Sequence, residues 1–99
     1  MKRALNPAQY QAACHRCADQ SLRLHDLQLA QIPLNSDGSK DAGPVIQGGL
    51  SALLQFIAFN TDRDEARIRA DLQRLTGEIL PQVLMAKAAG AFADAEHHV

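Results

Sequence analysis

The sequence predicts an all-α protein, a small bundle of three to four helices, and three observations favour it. Hydrophobic residues make up 46% of the 99 residues, yet seventeen residues are alanine and only four are aromatic. That composition suits close-packed helices better than a sheet of β-branched and aromatic side chains. Apolar residues recur at helical spacing, and prolines stand where helices would begin. We expect residues 1–99 to form a single helical domain.

The first predicted helix covers residues 7–32. Pro7 suits the first helical position after Asn6 as the cap, and neither glycine nor proline interrupts the pattern before Ile32. An apolar stripe runs along one face at spacings of 4, 3, 4 and 3 residues. Its members are Tyr10, Cys14, Cys17, Ser21 and Leu24. Both cysteines are therefore expected in the core.

A long loop and a central helix are predicted next. Residues 33–43 are rich in turn-forming residues and predict a partly disordered loop. Pro44 begins the second helix, 44–60, unless Gly48 and Gly49 delay its start to about Leu50; otherwise these glycines indicate a close helix crossing. Apolar residues cover nearly all of this helix, which places it at the centre of the bundle. They are Val45, Ile46, Leu50, Leu53, Leu54, Phe56, Ile57 and Phe59.

The third predicted helix covers residues 62–80, after a sharp reversal at Asn60. Thr61 or Asp62 is the expected cap, with Asp64 or Glu65 three residues on at capping-box spacing, of which only Glu65 fits by residue type. Its apolar stripe consists of Ile68, Leu72, Leu75 and Ile79, and its polar side carries the pairs Glu65 with Arg69 and Arg67 with Asp71. Pro81 removes a backbone donor and crowds the preceding turn, so the helix is expected to break there.

A fourth helix, 81–95, follows from that break. Its small residues would let another helix approach closely, and the apolar stripes are wide for so short a chain. We therefore expect a second copy to complete the bundle in a symmetric homodimer. The surface offered to a protein partner comprises Leu84, Ala88, Ala91 and Phe92.

The segment Cys14-His15-Arg16-Cys17 has the spacing of half a zinc site, because two thiolates three residues apart on a helix converge on one ion. The other half is missing, since His25 lies about 16 Å further along the helix. A symmetric dimer would supply four thiolates, and His97 with His98 is another source of ligands. The alternative is that both cysteines are small buried hydrophobes. We expect no cofactor, with zinc at Cys14 and Cys17 as the exception to test.

Other chemistry has weaker support. Residues 71–84 have the rhythm of a helix-turn-helix with Gly77 in the turn, but Gln73 and Glu78 fit that motif poorly. Paired catalytic carboxylates, a nucleophile with its base and a phosphate-binding glycine loop were not found as motifs. We therefore expect a protein that is not an enzyme.

Charge and hydropathy limit the partners. Ten basic and eleven acidic residues give a net charge of -1, which provides no general attraction to nucleic acid or to anionic membranes. No apolar stretch reaches the length of a membrane span, and polar residues interrupt the N-terminal region where a secretion signal would be apolar. We expect a cytoplasmic, homodimeric interaction or regulatory module that binds an unknown protein. The alternatives are a metal- or thiol-responsive sensor and, third, a DNA-binding regulator.

Overall fold

The computed structural model describes residues 4–90, and within them it contains three α-helices and no strand. Helix α1 spans Pro7–Ala30, α2 spans Gly43–Asn60 and α3 spans Glu65–Ala88. The all-α prediction is therefore confirmed. The chain divides into two compact units, Met1–Gln55 and Phe56–Val99. No helix in residues 4–90 is both long enough and apolar enough to cross a membrane.

Helix α1 begins where the sequence predicts. The Asn6 side chain accepts a hydrogen bond from the Gln9 backbone N–H at 2.8 Å, and the Gln9 side chain accepts one from the Asn6 N–H at 2.9 Å. This reciprocal capping box satisfies two backbone donors that the first helical turn leaves unpaired. Pro7 occupies the first turn, where its missing N–H costs nothing. The helix ends two residues before the predicted Ile32, with Gln31 as its C-cap.

The loop between α1 and α2 is held by hydrogen bonds, so the prediction of partial disorder is wrong. The backbone N–H of Asn35 donates to the Ser39 carbonyl at 2.7 Å, and Gly38 adopts a positive φ of 84° inside this turn. The Lys40 ammonium donates to the carbonyls of Leu29 and Ala30 at 3.1 and 3.2 Å. These carbonyls lie in the last turn of α1, where that of Leu29 also accepts the Ile32 backbone N–H at 3.0 Å, and Lys40 adds a side-chain cap to that end.

Helix α2 begins at Gly43 and includes both of its internal glycines. The Asp41 carboxylate accepts the Gly43 backbone N–H at 2.8 Å, which satisfies a donor in the first turn. A Cβ atom at Gly49 would lie 3.1 Å from Nε2 of His25 on α1, whereas one at Gly48 would meet nothing within 4 Å. The helix therefore starts near Pro44 and not near Leu50, and Gly49 marks a close approach to α1.

The end of α2 and the start of α3 are fixed by short polar side chains. The Asn60 amide donates to the Phe56 carbonyl at 2.9 Å, and the Thr61 hydroxyl donates to the Ile57 carbonyl at 2.8 Å. Asp64 caps α3, because its carboxylate accepts the Arg67 backbone N–H at 2.9 Å. The predicted caps, Thr61 and Asp62, were therefore wrong: Thr61 bonds to the end of the preceding helix.

Helix α3 continues through Pro81 to Ala88, so the predicted break and the separate helix at 81–95 are wrong within the described residues. Proline in a helix interior removes one hydrogen bond and crowds the carbonyl four residues earlier. That residue is Gly77, whose backbone adjusts more readily than that of any other residue. The residues before and after Pro81 are helical, so α3 is one continuous helix.

None of the residues from 4 to 90 is buried. The predicted stripe of α3 is half-buried at Ile68 and Leu72 but exposed at Leu75 and Ile79. In α2 the predicted central position is wrong for the single chain, because most of its apolar side chains are exposed. They include Ile46, Leu50, Leu53, Leu54, Phe56 and Phe59, whereas Val45 and Ile57 are half-buried.

Candidate functional site

An apolar groove of about 400 Å³ lies between α1 and the first half of α2. Leu29 and Val45 are half-buried at its floor, whereas Leu50 and Leu53 are exposed. The spacing of the α2 residues, one helical turn or two apart, brings them to one side of the helix. The full lining is His25, Asp26, Leu29, Ala42, Val45, Ile46, Gly49, Leu50 and Leu53.

Two features position this groove. Gly49 lets α1 approach closely enough for the His25 ring to lie over the α2 backbone. Lys40 ties the loop to the end of α1 and so fixes where the loop delivers the chain to α2. His25 and Asp26 are the charged or titratable groups of its lining, and the other lining residues make its surface mainly apolar.

The loop beside the groove has its own polar cluster. The Ser39 hydroxyl and backbone N–H both donate to Oδ1 of Asp37, at 2.6 and 3.0 Å. These two hydrogen bonds, the hydroxyl first, lower the pKa of the Asp37 carboxyl below its usual value. Asp37 is therefore a turn-stabilising carboxylate that stays ionised at neutral pH.

Both thiols, Cys14 and Cys17, are free and exposed on α1. The prediction that they are buried as core residues is therefore wrong for the single chain. The sequence placed them correctly on one face with Ser21 and Leu24, but Leu24 is also exposed. The half-buried residues of that face lie nearer the end of α1, at His25, Gln28 and Leu29.

Within residues 4–90 no group of three or more His, Cys, Asp and Glu side chains is placed so that it could hold a metal ion. His15 lies between the two cysteines in sequence but about 100° around the helix from Cys14. His25 is three turns away from Cys14, beside Gly49. His97 and His98 lie outside the described residues. Cys14 and Cys17 thus provide two ligands to any ion that they bind.

The surface predicted to bind a protein partner is only partly described. Leu84 is 54% exposed and Ala88 is also exposed, at the end of α3. Ala91 and Phe92 lie outside the described residues. Next to Leu84, Met85 is 73% exposed and adds a flexible apolar side chain that the prediction did not include.

The polar side of α3 differs in detail from the prediction. Glu65 and Arg69 form the predicted ion pair at 3.4 Å. Asp71 was predicted to pair with Arg67, but it pairs with Arg63 from the preceding loop. The Arg67 backbone is engaged by Asp64. Helical spacing predicts ion pairs between residues of one helix, but it does not predict a pair with an arginine of the preceding loop.

The helix-turn-helix interpretation of residues 71–84 has no structural support. Such a motif requires a turn between two helices at a large angle. Gly77 instead lies inside α3, which runs unbroken from Glu65 to Ala88. Arg74 forms an ion pair with Glu78 at 3.4 Å across the position where the turn would be. The DNA-binding alternative therefore loses the motif on which it depended.

Comparisons of this chain with protein-family models, with curated proteins and with solved structures find no match. Its function must therefore be argued from its own residues.

Sequence reasoning missed two residues that shape the groove. Lys40 was assigned only to a polar loop, and nothing in its neighbourhood indicated a contact with residues ten and eleven positions earlier. His25 was considered only as a distant metal ligand. The pair of glycines in α2 was the one available signal, because glycine inside a helix often marks a close crossing, but it did not identify the partner.

Proposed function

We propose that this protein is a non-enzymatic interaction module that associates through its helix faces, first with a second copy of itself. The observation that carries the proposal is the exposure of large apolar side chains on every helix while no described residue is buried. Leaving such side chains in water forfeits about 1.5–3 kcal/mol each relative to full burial. Extensive exposure of large apolar side chains is typical of proteins that bind other proteins.

The exposed apolar side chains support a second copy as the first partner. Every copy of the chain offers the same exposed side chains, so one copy can cover those of another. A two-fold dimer would cover the same residues on both copies. Each chain of an obligate homodimer covers roughly 1000–2500 Å² of its partner.

The end of α3 is the best place to test the interface. Leu84 and Met85 are exposed there, and Gln82 is an exposed polar residue on the same helix. A charge at a buried interface position is costly, whereas a charge at a solvated position changes little. Leu84→Asp and Gln82→Asp therefore form a matched pair with the same added charge.

We expect sedimentation velocity at several concentrations to give a dimer for the wild type. Leu84→Asp should weaken the dimer by at least tenfold, in line with the loss of one buried leucine at about 1.5–3 kcal/mol, and Gln82→Asp should leave it unchanged. Circular dichroism checks that both variants remain helical. A wild type that stays monomeric at high concentration would overturn the proposal. Equal weakening by both variants would overturn the assignment of Leu84 to the interface.

A further inference from the structure

We propose that Cys14 and Cys17 from two copies of this chain together bind one zinc ion. The inference rests on the proposed function, because the second copy supplies half of the ligands. The two thiols are three residues apart on α1, and both are exposed. At 3.6 residues per turn they lie about 60° apart around the helix and one turn apart along it. Two thiolates in this arrangement reach one ion from the same side.

The site is incomplete in a single chain. A structural zinc site is tetrahedral and has four protein ligands. Within residues 4–90 no third His, Cys, Asp or Glu joins the two thiols. His25, the next histidine along α1, lies beside Gly49, about three turns away. Another chain is therefore the direct source of the missing two ligands.

The thiols also lie on the side of α1 that is used for packing. Cys14 and His25 are eleven residues apart, as are Cys17 and Gln28, which is close to three full turns. Each cysteine therefore shares a face with a half-buried residue, and His25 is the one that approaches α2 at Gly49. The same face is uncovered at the two thiols. A second α1 packed there continues the contact face along the helix.

Two-fold symmetry then completes the coordination sphere. In a dimer whose axis passes near this turn, the same pair of thiols arrives from both chains, because an isologous interface repeats each residue. The result is a site of four thiolates, which zinc accepts in closed structural sites. Binding releases the protons of the four thiols and involves no oxidation or reduction.

The test uses the full chain, kept reduced and purified without chelator, with zinc chloride as the probe. Native mass spectrometry reports the subunit number and the bound metal together. Cobalt(II) absorption then reports the ligands, because thiolate ligation gives charge-transfer bands and tetrahedral geometry gives intense d–d bands. The variants are C14A/C17A for the site, H15A as the control within the same turn, and H97A/H98A for the tail.

The expected result is one zinc per dimer with a thiolate-rich tetrahedral cobalt spectrum. Zinc binding should be lost in C14A/C17A and kept in H15A and H97A/H98A. One zinc per monomer, retention of zinc by C14A/C17A, or loss of zinc in H97A/H98A would overturn the shared four-thiolate site. A dimer that binds no zinc would overturn this inference and leave the proposed function standing. A wild type that is monomeric with and without zinc would overturn both.

Discussion

The contact between α1 and α2 and the second half of α3 are both rich in apolar residues, but they differ in how far those side chains are exposed. At the contact, Leu29 and Val45 are half-buried and Gly49 lies next to His25. In α3 the side chains of Leu80 and Leu84 are about half exposed. Apolar content alone therefore does not decide which helix segment becomes covered.

The difference lies in shape and in how the apolar residues are distributed. Gly49 removes a side chain at the crossing, so two helices approach closely and bury their flanking residues. In α3, Leu80 and Leu84 share one side of the helix, whereas Ile79 and Met85 lie on opposite flanks of it, because successive residues turn by 100°. One neighbouring helix covers one stripe and leaves the others in water. The second half of α3 thus needs more than one contact to cover its apolar side chains.

Replacing Pro81 has the largest expected effect on the free energy of unfolding. Replacing it with alanine restores a backbone hydrogen bond and relieves the crowding at Gly77. We expect Pro81→Ala to raise the free energy of unfolding by up to about 3 kcal/mol, measured by urea denaturation. The neighbouring Gln82→Ala is the control and should change it by only a few tenths of a kcal/mol. Unchanged or lower stability for Pro81→Ala would mean that the proline is required for the native packing of α3.

The two adjacent glycines of α2 provide a test of the contact between α1 and α2. Gly49→Leu forces a side chain into the space of the His25 ring, whereas Gly48→Leu meets open space. Both variants gain the same helix propensity, so their difference isolates the close approach. We expect Gly49→Leu to be less stable than Gly48→Leu by about 1–3 kcal/mol, the usual cost of overpacking.

Urea denaturation of both variants measures that difference directly. Equal stability of the two leucine variants would show that α1 does not pack against α2 at Gly49. In that case the groove between these helices would not be a fixed feature of the fold.

The sequence predicted features that depend on neighbouring residues and missed those that depend on distant ones. The Asn6 cap with Pro7 and the ion pair of Glu65 with Arg69 all involve residues within four positions of each other, so spacing was sufficient. The contact of Lys40 with the end of α1 joins residues ten or more apart, and periodicity carries no information about it.

The errors at Pro81 and at the cysteines have different physical causes. Proline weakens a helix without forbidding it, and the glycine four residues earlier reduces the steric conflict. For Cys14 and Cys17 the face was predicted correctly, but a helical stripe does not specify whether its partner belongs to the same chain. The candidate zinc site, with a symmetric dimer as one source of its missing ligands, was therefore predicted from spacing, and the structure adds that both thiols are exposed.

Replacing Lys40 has the smallest expected effect on stability, and it allows the C-terminal ends of α1 and α3 to be compared. Its ammonium donates to two carbonyls at the end of α1, whereas Lys87 lies within the last turn of α3. A lysine near a helix C-terminus contributes about 0.3–1 kcal/mol through the helix dipole, and direct hydrogen bonds add roughly 1 kcal/mol.

We expect Lys40→Met to lower the thermal midpoint by several degrees, since about 1 kcal/mol corresponds to roughly 4–8 °C in a domain of this size. Lys87→Met should lower it less in the same calorimetric scan, because it loses only the dipole interaction. Equal shifts would show that the loop contact adds nothing to the cap of α1, and the groove would then depend on Gly49 alone for its position.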